Sequence, residues 1–187
     1  SLNGIFDRML YDYYENTNHE YIGVCEFSVE CDVPQGAEKV IEIPSALLDD
    51  ENISLTGLPL NTILHPLRDK KGNEITNELE NGIVITESLR ILNGLKLGDT
   101  VLLEIGNEEM NLEIVAITYE YSGEKAYLNI TDLSQLLFDN DTYYNVVYSS
   151  VELDESEYDM VINTNDIVDQ ASNMQGFFNL FISMMTI

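Results

Sequence analysis

The residues best suited to act as catalysts or metal ligands are two histidines and two cysteines, alongside many carboxylates. Neither histidine lies in a recognised motif. His65 precedes Pro66 after an apolar run and is predicted to be a turn residue, and His19 follows a polar segment. The sequence has no phosphate-binding glycine loop, no G-x-S-x-G and no H-E-x-x-H. These patterns predict no catalytic residue, and therefore a domain that is not an enzyme.

Cys25 and Cys31 are the only cysteines, six residues apart. If the β-rich segment 20–33 is a single strand, the two residues are about 20 Å apart, beyond the reach of a disulfide. Two such thiols and two scattered histidines also fail to match the spacing of a zinc site. We therefore predict that both cysteines are buried apolar side chains and that the domain holds no metal.

Acidic residues outnumber basic ones 34 to 8, so the formal net charge is −26. With so many carboxylates, a glycosidase-like acid and base pair can be drawn in many ways and no pair stands out. The tightest group, Asp139-Asn140-Asp141, lacks the downstream glycine and glutamate of a calcium loop, so we predict a polar turn there. A surface this acidic repels phosphate backbones and anionic headgroups. We predict no cofactor and no nucleic-acid partner.

The elements that position these residues are less clear in the first half of the chain. Apolar side chains at helical spacing predict a helix over 3–16. β-rich segments predict further strands at 40–43 and 53–58. Residues 60–81 form the loosest stretch and the best place for an inserted loop, with an exposed turn at 69–73.

Local signals are stronger from Gly82 onward. Residues 82–85 predict a buried strand, after which Thr86 caps a helix that runs through Asn93 and stops at a left-handed Gly94. Residues 100–105 and 110–119 predict an antiparallel pair. A strand at 126–129 precedes a helix capped by Thr131 or Asp132, and further strands are predicted at 145–153 and 160–163.

The C-terminal tail carries no charge after Asp169. Eight of the last eleven residues are large and apolar: Phe177, Phe178, Leu180, Phe181, Ile182, Met184, Met185 and Ile187. This run is too short to cross a bilayer, which takes roughly 20 apolar residues. We predict that it is the first part of a membrane helix and that the chain, which starts at Ser1 with no signal peptide, belongs to a larger membrane protein.

Length and pattern together predict the fold class. A chain of 187 residues builds one core, with room for two subdomains. We predict a single α+β domain over residues 1–187. It has a mixed, largely antiparallel sheet and short helices, and stalk helices at about 3–16 and 165–187 flank it.

Three segments of the second half resemble the extracytoplasmic core domain of FtsX-like, MacB-like ABC transporter permeases. Gly82-Ile83-Val84-Ile85-Thr86-Glu87-Ser88-Leu89 resembles the family's strand-to-helix segment. Leu95-Lys96-Leu97-Gly98-Asp99-Thr100-Val101-Leu102-Leu103 resembles its glycine-aspartate turn and strand, and Ala126-Tyr127-Leu128-Asn129-Ile130-Thr131-Asp132-Leu133 its next strand and helix. Their order and spacing also fit, whereas residues 34–81 depart most from the family pattern.

The resemblance implies a domain looped out between two membrane helices of a permease in the bacterial cell membrane. In this family a cytoplasmic ATPase drives the permease, and motion passes through helical stalks to the outer domain. Cargo includes lipoproteins, peptides and antibiotics, while other members regulate cell-wall hydrolases or sense antimicrobial peptides. The family has no catalytic residues in this domain, so none is transferred to this chain.

Two other classes remain open at this stage. One is a sensor or ligand-binding module outside the cytoplasm, which would also have membrane helices on both sides. The other is an acidic extracellular hydrolase, which requires a deep pocket with perturbed carboxylates. The parent sequence separates the first from a permease, because only a permease has several more membrane helices and an ATPase partner.

Overall fold

The structure is a computed structural model and describes residues 18–27, 31–120 and 123–164. In these ranges it contains nine strands and two short α-helices, together with 3-10 turns at Thr76–Glu80 and Glu155–Glu157. The strands are β1 Tyr21–Val24, β2 Glu38–Leu48, β3 Glu51–Leu58, β4 Ile83–Thr86, β5 Thr100–Ile105, β6 Glu108–Thr118, β7 Lys125–Asn129, β8 Val146–Ser149 and β9 Met160–Asn163. The helices are α1 Glu87–Asn93 and α2 Ile130–Phe138. The predicted α+β class is confirmed, whereas both predicted stalk helices lie outside the described residues.

Six strands close into a ring in the order β2-β3-β7-β4-β6-β5, because β2 pairs with both β3 and β5. Only the β3–β7 and β4–β6 pairs are parallel, so the sheet is largely antiparallel as predicted. The predicted hairpin is confirmed, since β5 and β6 pair antiparallel from Thr100↔Glu113 to Ile105↔Glu108. Closure leaves no open edge within the ring.

A smaller antiparallel sheet shares its first strand with this ring. Residues 38–40 at the start of β2 pair with β8, which pairs with β1, which in turn pairs with β9. The remainder of β2 belongs to the ring, and its register with β3 shifts between Ile43 and Ala46. Pro44 lies in this irregular stretch, and proline is confined to such positions because it has no N–H for the ladder. One long strand therefore joins the two sheets.

Alternate residues of the strands build two apolar clusters on opposite faces. Ile83 and Ile85 of β4 belong to the first cluster, which also contains Leu89 of α1 and Leu133 of α2. Val84 points to the second cluster, between the ring and the small sheet. Since both faces of β4 are covered, its sequence is apolar throughout. The segment 60–81 contributes to the second cluster through the buried residues Leu64, Leu67 and Leu79.

The local helix signals can be checked one by one. Thr86 caps α1 by accepting a hydrogen bond from the Leu89 N–H, and Gly94 ends it with φ 61°. The predicted caps of α2 are wrong, because the cap is Asn129, whose side chain accepts from the Thr131 N–H. The predicted turn at 69–73 is present, closed by a hydrogen bond from the Asp69 N–H to the Asn73 carbonyl.

Cys25 is buried as predicted, whereas Cys31 is partly exposed, and the prediction that the two cysteines lie far apart on one strand is wrong. β1 ends at Val24, so Cys25 and Cys31 do not lie on one extended strand. The chain returns, and both residues pack in the same small cluster as Tyr144, Leu153 and Tyr158. The two cysteine side chains are therefore close neighbours in the fold.

Candidate functional site

The first and last strands of the described fold are neighbours, and the chain enters the first and leaves the last at the same edge. Tyr21, the first residue of β1, is the register partner of Asn163, the last residue of β9. Beyond that pair, the Thr164 N–H donates to the Glu20 carbonyl at 2.7 Å, and the Thr164 hydroxyl donates to the His19 and Glu20 carbonyls. Residues 19–20 and 164 therefore lie side by side at the same edge of the described fold.

A buried set of polar side chains lies beneath this point. We call it the junction cluster, and its residues come from separate parts of the chain: His19, Glu42, His65, Glu120, Tyr127 and Tyr148. All are at most 8% exposed, and the histidines are 3% and 2% exposed. Burying a polar side chain without a polar partner is costly, so their contacts within the protein matter for stability.

One half of the junction cluster is centred on Tyr127. Its hydroxyl donates to Glu120 Oε2 at 2.8 Å and lies 3.3 Å from His65 Nε2. The hydroxyl has one hydrogen, and it donates that hydrogen to Glu120. A hydrogen bond between the hydroxyl and His65 Nε2 therefore requires the histidine nitrogen to be the donor. The same nitrogen is 3.8 Å from Glu120 Oε1. Burial alone would raise the pKa of Glu120, but His65, Lys125 and Tyr127 outweigh it and lower that pKa.

The other half is centred on Glu42 of β2. Its carboxylate accepts hydrogen bonds from the hydroxyls of Tyr148 and Thr56, the latter at 2.7 Å. Its backbone exchanges two bonds with the Asn145 side chain, which donates to the Glu42 carbonyl and accepts from the Glu42 N–H. The long strand is thus tied to β3 and to β8 at the point where it passes from one sheet to the other.

His19 joins the chain end to this network by stacking on Tyr148, with ring centroids 4.0 Å apart and planes 16° apart. His65 packs against the same tyrosine at 5.8 Å. Burial, together with the charges of His65 and Lys125, lowers the pKa of His19 well below its usual 6.5. His19 is therefore neutral in the fold at neutral pH.

The geometry of the junction cluster suits a structural joint better than a reactive centre. A catalytic histidine must reach a substrate, and these two rings are almost fully covered. The sequence assigned both histidines to turn or polar segments and missed their meeting. No local sequence pattern predicts the junction cluster, because its contacts join the residues just before β1, the segment 60–81 and three strands.

A carboxylate elsewhere bears on the hydrolase alternative. Glu87 lines an open depression of about 290 Å³ together with Lys70, Leu97 and Tyr119. Arg90 donates to its carboxylate at 2.8 Å, which outweighs burial and lowers the pKa of Glu87. A general acid needs a raised pKa, so this shift runs in the wrong direction for that role.

The predicted membrane-inserted residues of the tail lie outside the described residues. Within 18–27, 31–120 and 123–164, no helix has the length and apolar character to span a bilayer. The same ranges contain no group of three or more histidine, cysteine or acidic residues placed to hold a metal ion.

No protein-family model matches the sequence, and no curated protein resembles it significantly. Two similar solved structures are extracytoplasmic parts of transporters. One is the extracellular domain of the noncanonic ABC-type transporter YknZ from Gram-positive bacteria, with a TM-score of 0.46 and 14% identity over 73% of this chain and 85% of that one. The other is the periplasmic region of MacB from Actinobacillus actinomycetemcomitans, with a TM-score of 0.47 and 12% identity over 85% of this chain and 94% of that one. Both likenesses are distant.

Proposed function

We propose that this chain is the non-catalytic extracytoplasmic domain of a bacterial ABC transporter permease. In that role it couples ATP hydrolysis by a cytoplasmic ATPase subunit to export, extraction or signalling outside the membrane. Residues 3–16 and 165–187 serve as the stalks, and the apolar tail continues into the membrane. Protein or peptide cargo meets the domain on the outer side.

The observation that carries this proposal is the pairing of β1 with β9, the first and last described strands. A domain looped out between two membrane helices must begin and end at one face. The Tyr21↔Asn163 pair and the Thr164 hydrogen bonds meet this requirement. The junction cluster lies directly beneath these contacts and would hold both stalks firmly to the domain.

The three segments that resemble the permease family also belong to one structural unit. The first runs through β4 into α1, the second forms the turn before β5 and most of that strand, and the third runs through β7 into α2. All three strands belong to the closed ring, and both helices pack on its core. The resembling segments therefore fall on one closed sheet and its two helices rather than on scattered turns.

Topology in intact cells tests the proposal. An epitope inserted after Gly72, in the exposed turn at 69–73, should be labelled by an antibody that cannot cross the membrane. Permeabilised cells serve as the control for antibody access. Detergent extraction should then recover an ABC ATPase with the tagged parent protein. Labelling only after permeabilisation would refute the proposal, and labelling without an ATPase partner would favour the sensor alternative.

A further inference from the structure

We propose that Cys25 and Cys31 form an intramolecular disulfide that links two positions of the segment after β1, beside the start of β8. The inference goes beyond the proposed function, because pairing of the two sulfurs follows from the fold wherever the chain resides.

Both cysteine backbones are held against neighbouring positions of the same loop. The Cys25 N–H donates to the Asn145 carbonyl at 2.9 Å. The Cys31 N–H donates to the Tyr144 hydroxyl at 3.1 Å, and that hydroxyl donates back to the Cys31 carbonyl at 3.1 Å. Two anchors one residue apart therefore fix the two cysteines relative to each other.

A second tyrosine secures the same stretch. The Tyr158 hydroxyl donates to the Asp32 carbonyl, next to Cys31. Tyr158 and Tyr144 also pack with both cysteines in one buried cluster. The position of Cys31 thus depends on contacts with distant residues, which a disulfide would reinforce.

The two cysteine side chains pack in one cluster, and each contributes to the shift in the other's pKa, so they are direct neighbours. A disulfide needs a sulfur separation of about 2.0 Å, which rotation of two adjacent cysteine side chains can provide. Cys25 is buried, whereas Cys31 is partly exposed and is the sulfur that an oxidant can reach.

The oxidant required is a small disulfide or a disulfide-bearing protein. Cys31, after losing its proton, attacks one sulfur of that disulfide, forms a mixed disulfide and releases one thiolate. Cys25 then loses its proton and attacks the Cys31 sulfur, which releases the second thiolate. Both released thiolates take up the two protons, so two cysteines are oxidised and one oxidant disulfide is reduced to two thiols.

Burial raises the pKa of both thiols. Closure should therefore be slow at neutral pH and accelerate as the pH rises. Outside the cytoplasm such a bond would persist. That persistence, unlike the pairing itself, rests on the proposed function.

Equilibration of the purified full chain with oxidised and reduced glutathione tests the pairing, with acid quenching and mass spectrometry as the readout. We expect a species two hydrogens lighter than the reduced chain. The equilibrium constant for its formation should be at least about tenfold higher in the native chain than in urea. A smaller ratio, or native chains that carry glutathione on both cysteines instead, overturns the proposal.

Tyrosine variants and a cysteine variant test which residues determine the equilibrium constant for disulfide formation. Tyr144→Phe keeps the ring but removes the hydroxyl that holds Cys31, and should lower the native equilibrium constant about three- to tenfold. Tyr143→Phe, whose ring packs on Phe138, is the matched control and should leave it unchanged. Cys25→Ser should leave one glutathione adduct on Cys31. Equal effects of the two tyrosine variants would contradict the assigned geometry.

Discussion

Gly82 stands just before β4 because the backbone there passes directly against β6. A Cβ at this position would lie 2.3 Å from the Glu113 carbonyl oxygen and 2.8 Å from Val115 Cγ1. The carbonyl cannot rotate away from the ladder, so the strand itself would have to move. We expect Gly82→Ala to lower the free energy of unfolding by about 2–3 kcal/mol in urea denaturation.

The neighbouring Asn81 provides the control for this prediction, since it is exposed. Asn81→Ala should change the free energy of unfolding by less than about 0.5 kcal/mol. Similar losses in the two variants would mean that the close approach to β6 is not the cause.

His19 makes the stability of the domain depend on pH. The unfolded chain takes up a proton on His19 below its usual pKa of 6.5, whereas the buried ring in the fold does not. The stabilisation is therefore complete above pH 6.5 and is lost as the pH falls below it. In that window the free energy of unfolding should drop by up to about 1.4 kcal/mol per pH unit.

The variant His19→Phe keeps an aromatic ring on Tyr148 but has no proton to gain. We expect its urea-unfolding free energy to vary less between pH 7.5 and 5 than that of the parent chain. The lowered pKa of Glu120 acts in the same direction but only below its usual 4.5, outside this window. An unchanged pH slope would show that another group causes the dependence.

At the scale of the elements, the start of α2 is where the predicted cap, Thr131 or Asp132, differs from the observed cap, Asn129. The Asn129 side chain accepts from the Thr131 N–H at 3.0 Å. We expect Asn129→Ala to destabilise the domain by about 1 kcal/mol, measured by thermal or urea unfolding. Thr131→Ala should cost less, because its side chain does not cap the helix. A larger loss in Thr131→Ala would restore the original prediction.

Elements set by neighbouring residues could be predicted from the sequence. The cap at Thr86, the stop at Gly94 and the hairpin of β5 and β6 all depend on contacts close in the chain. The position of Cys31 depended instead on Tyr144, far along the sequence, and the assumption of one long strand placed it wrongly.

The same distinction explains why the junction cluster could not be predicted. His19 and His65 each lie in an unremarkable local context, and they meet only because the fold brings both rings together against Tyr148. The division of β2 between two sheets is also a property of the assembled fold, since residues 38–40 pair with β8 and later residues of the same strand pair with β3.

At the scale of the whole molecule, the charge of −26 works against compactness. Salt screens this repulsion, with a Debye length of about 10 Å at 0.1 M and about 3 Å at 1 M. We expect the melting temperature to rise by about 5 °C between roughly 10 mM and 0.5 M NaCl. Choline chloride should act as sodium chloride does. A response specific to one cation at low concentration would instead reveal a binding site.

The pairing of β1 with β9 also determines how the domain carries load. Its two outward connections leave from the same end of an antiparallel pair, at Tyr21 and Asn163. A force that separates the connections opens that ladder like a zipper, one hydrogen bond at a time. A force that pulls both connections in the same direction runs along the strands and loads the ladder between β1 and β8 in shear. The domain should therefore transmit a stroke in which both connections move in concert, and yield when they are drawn apart.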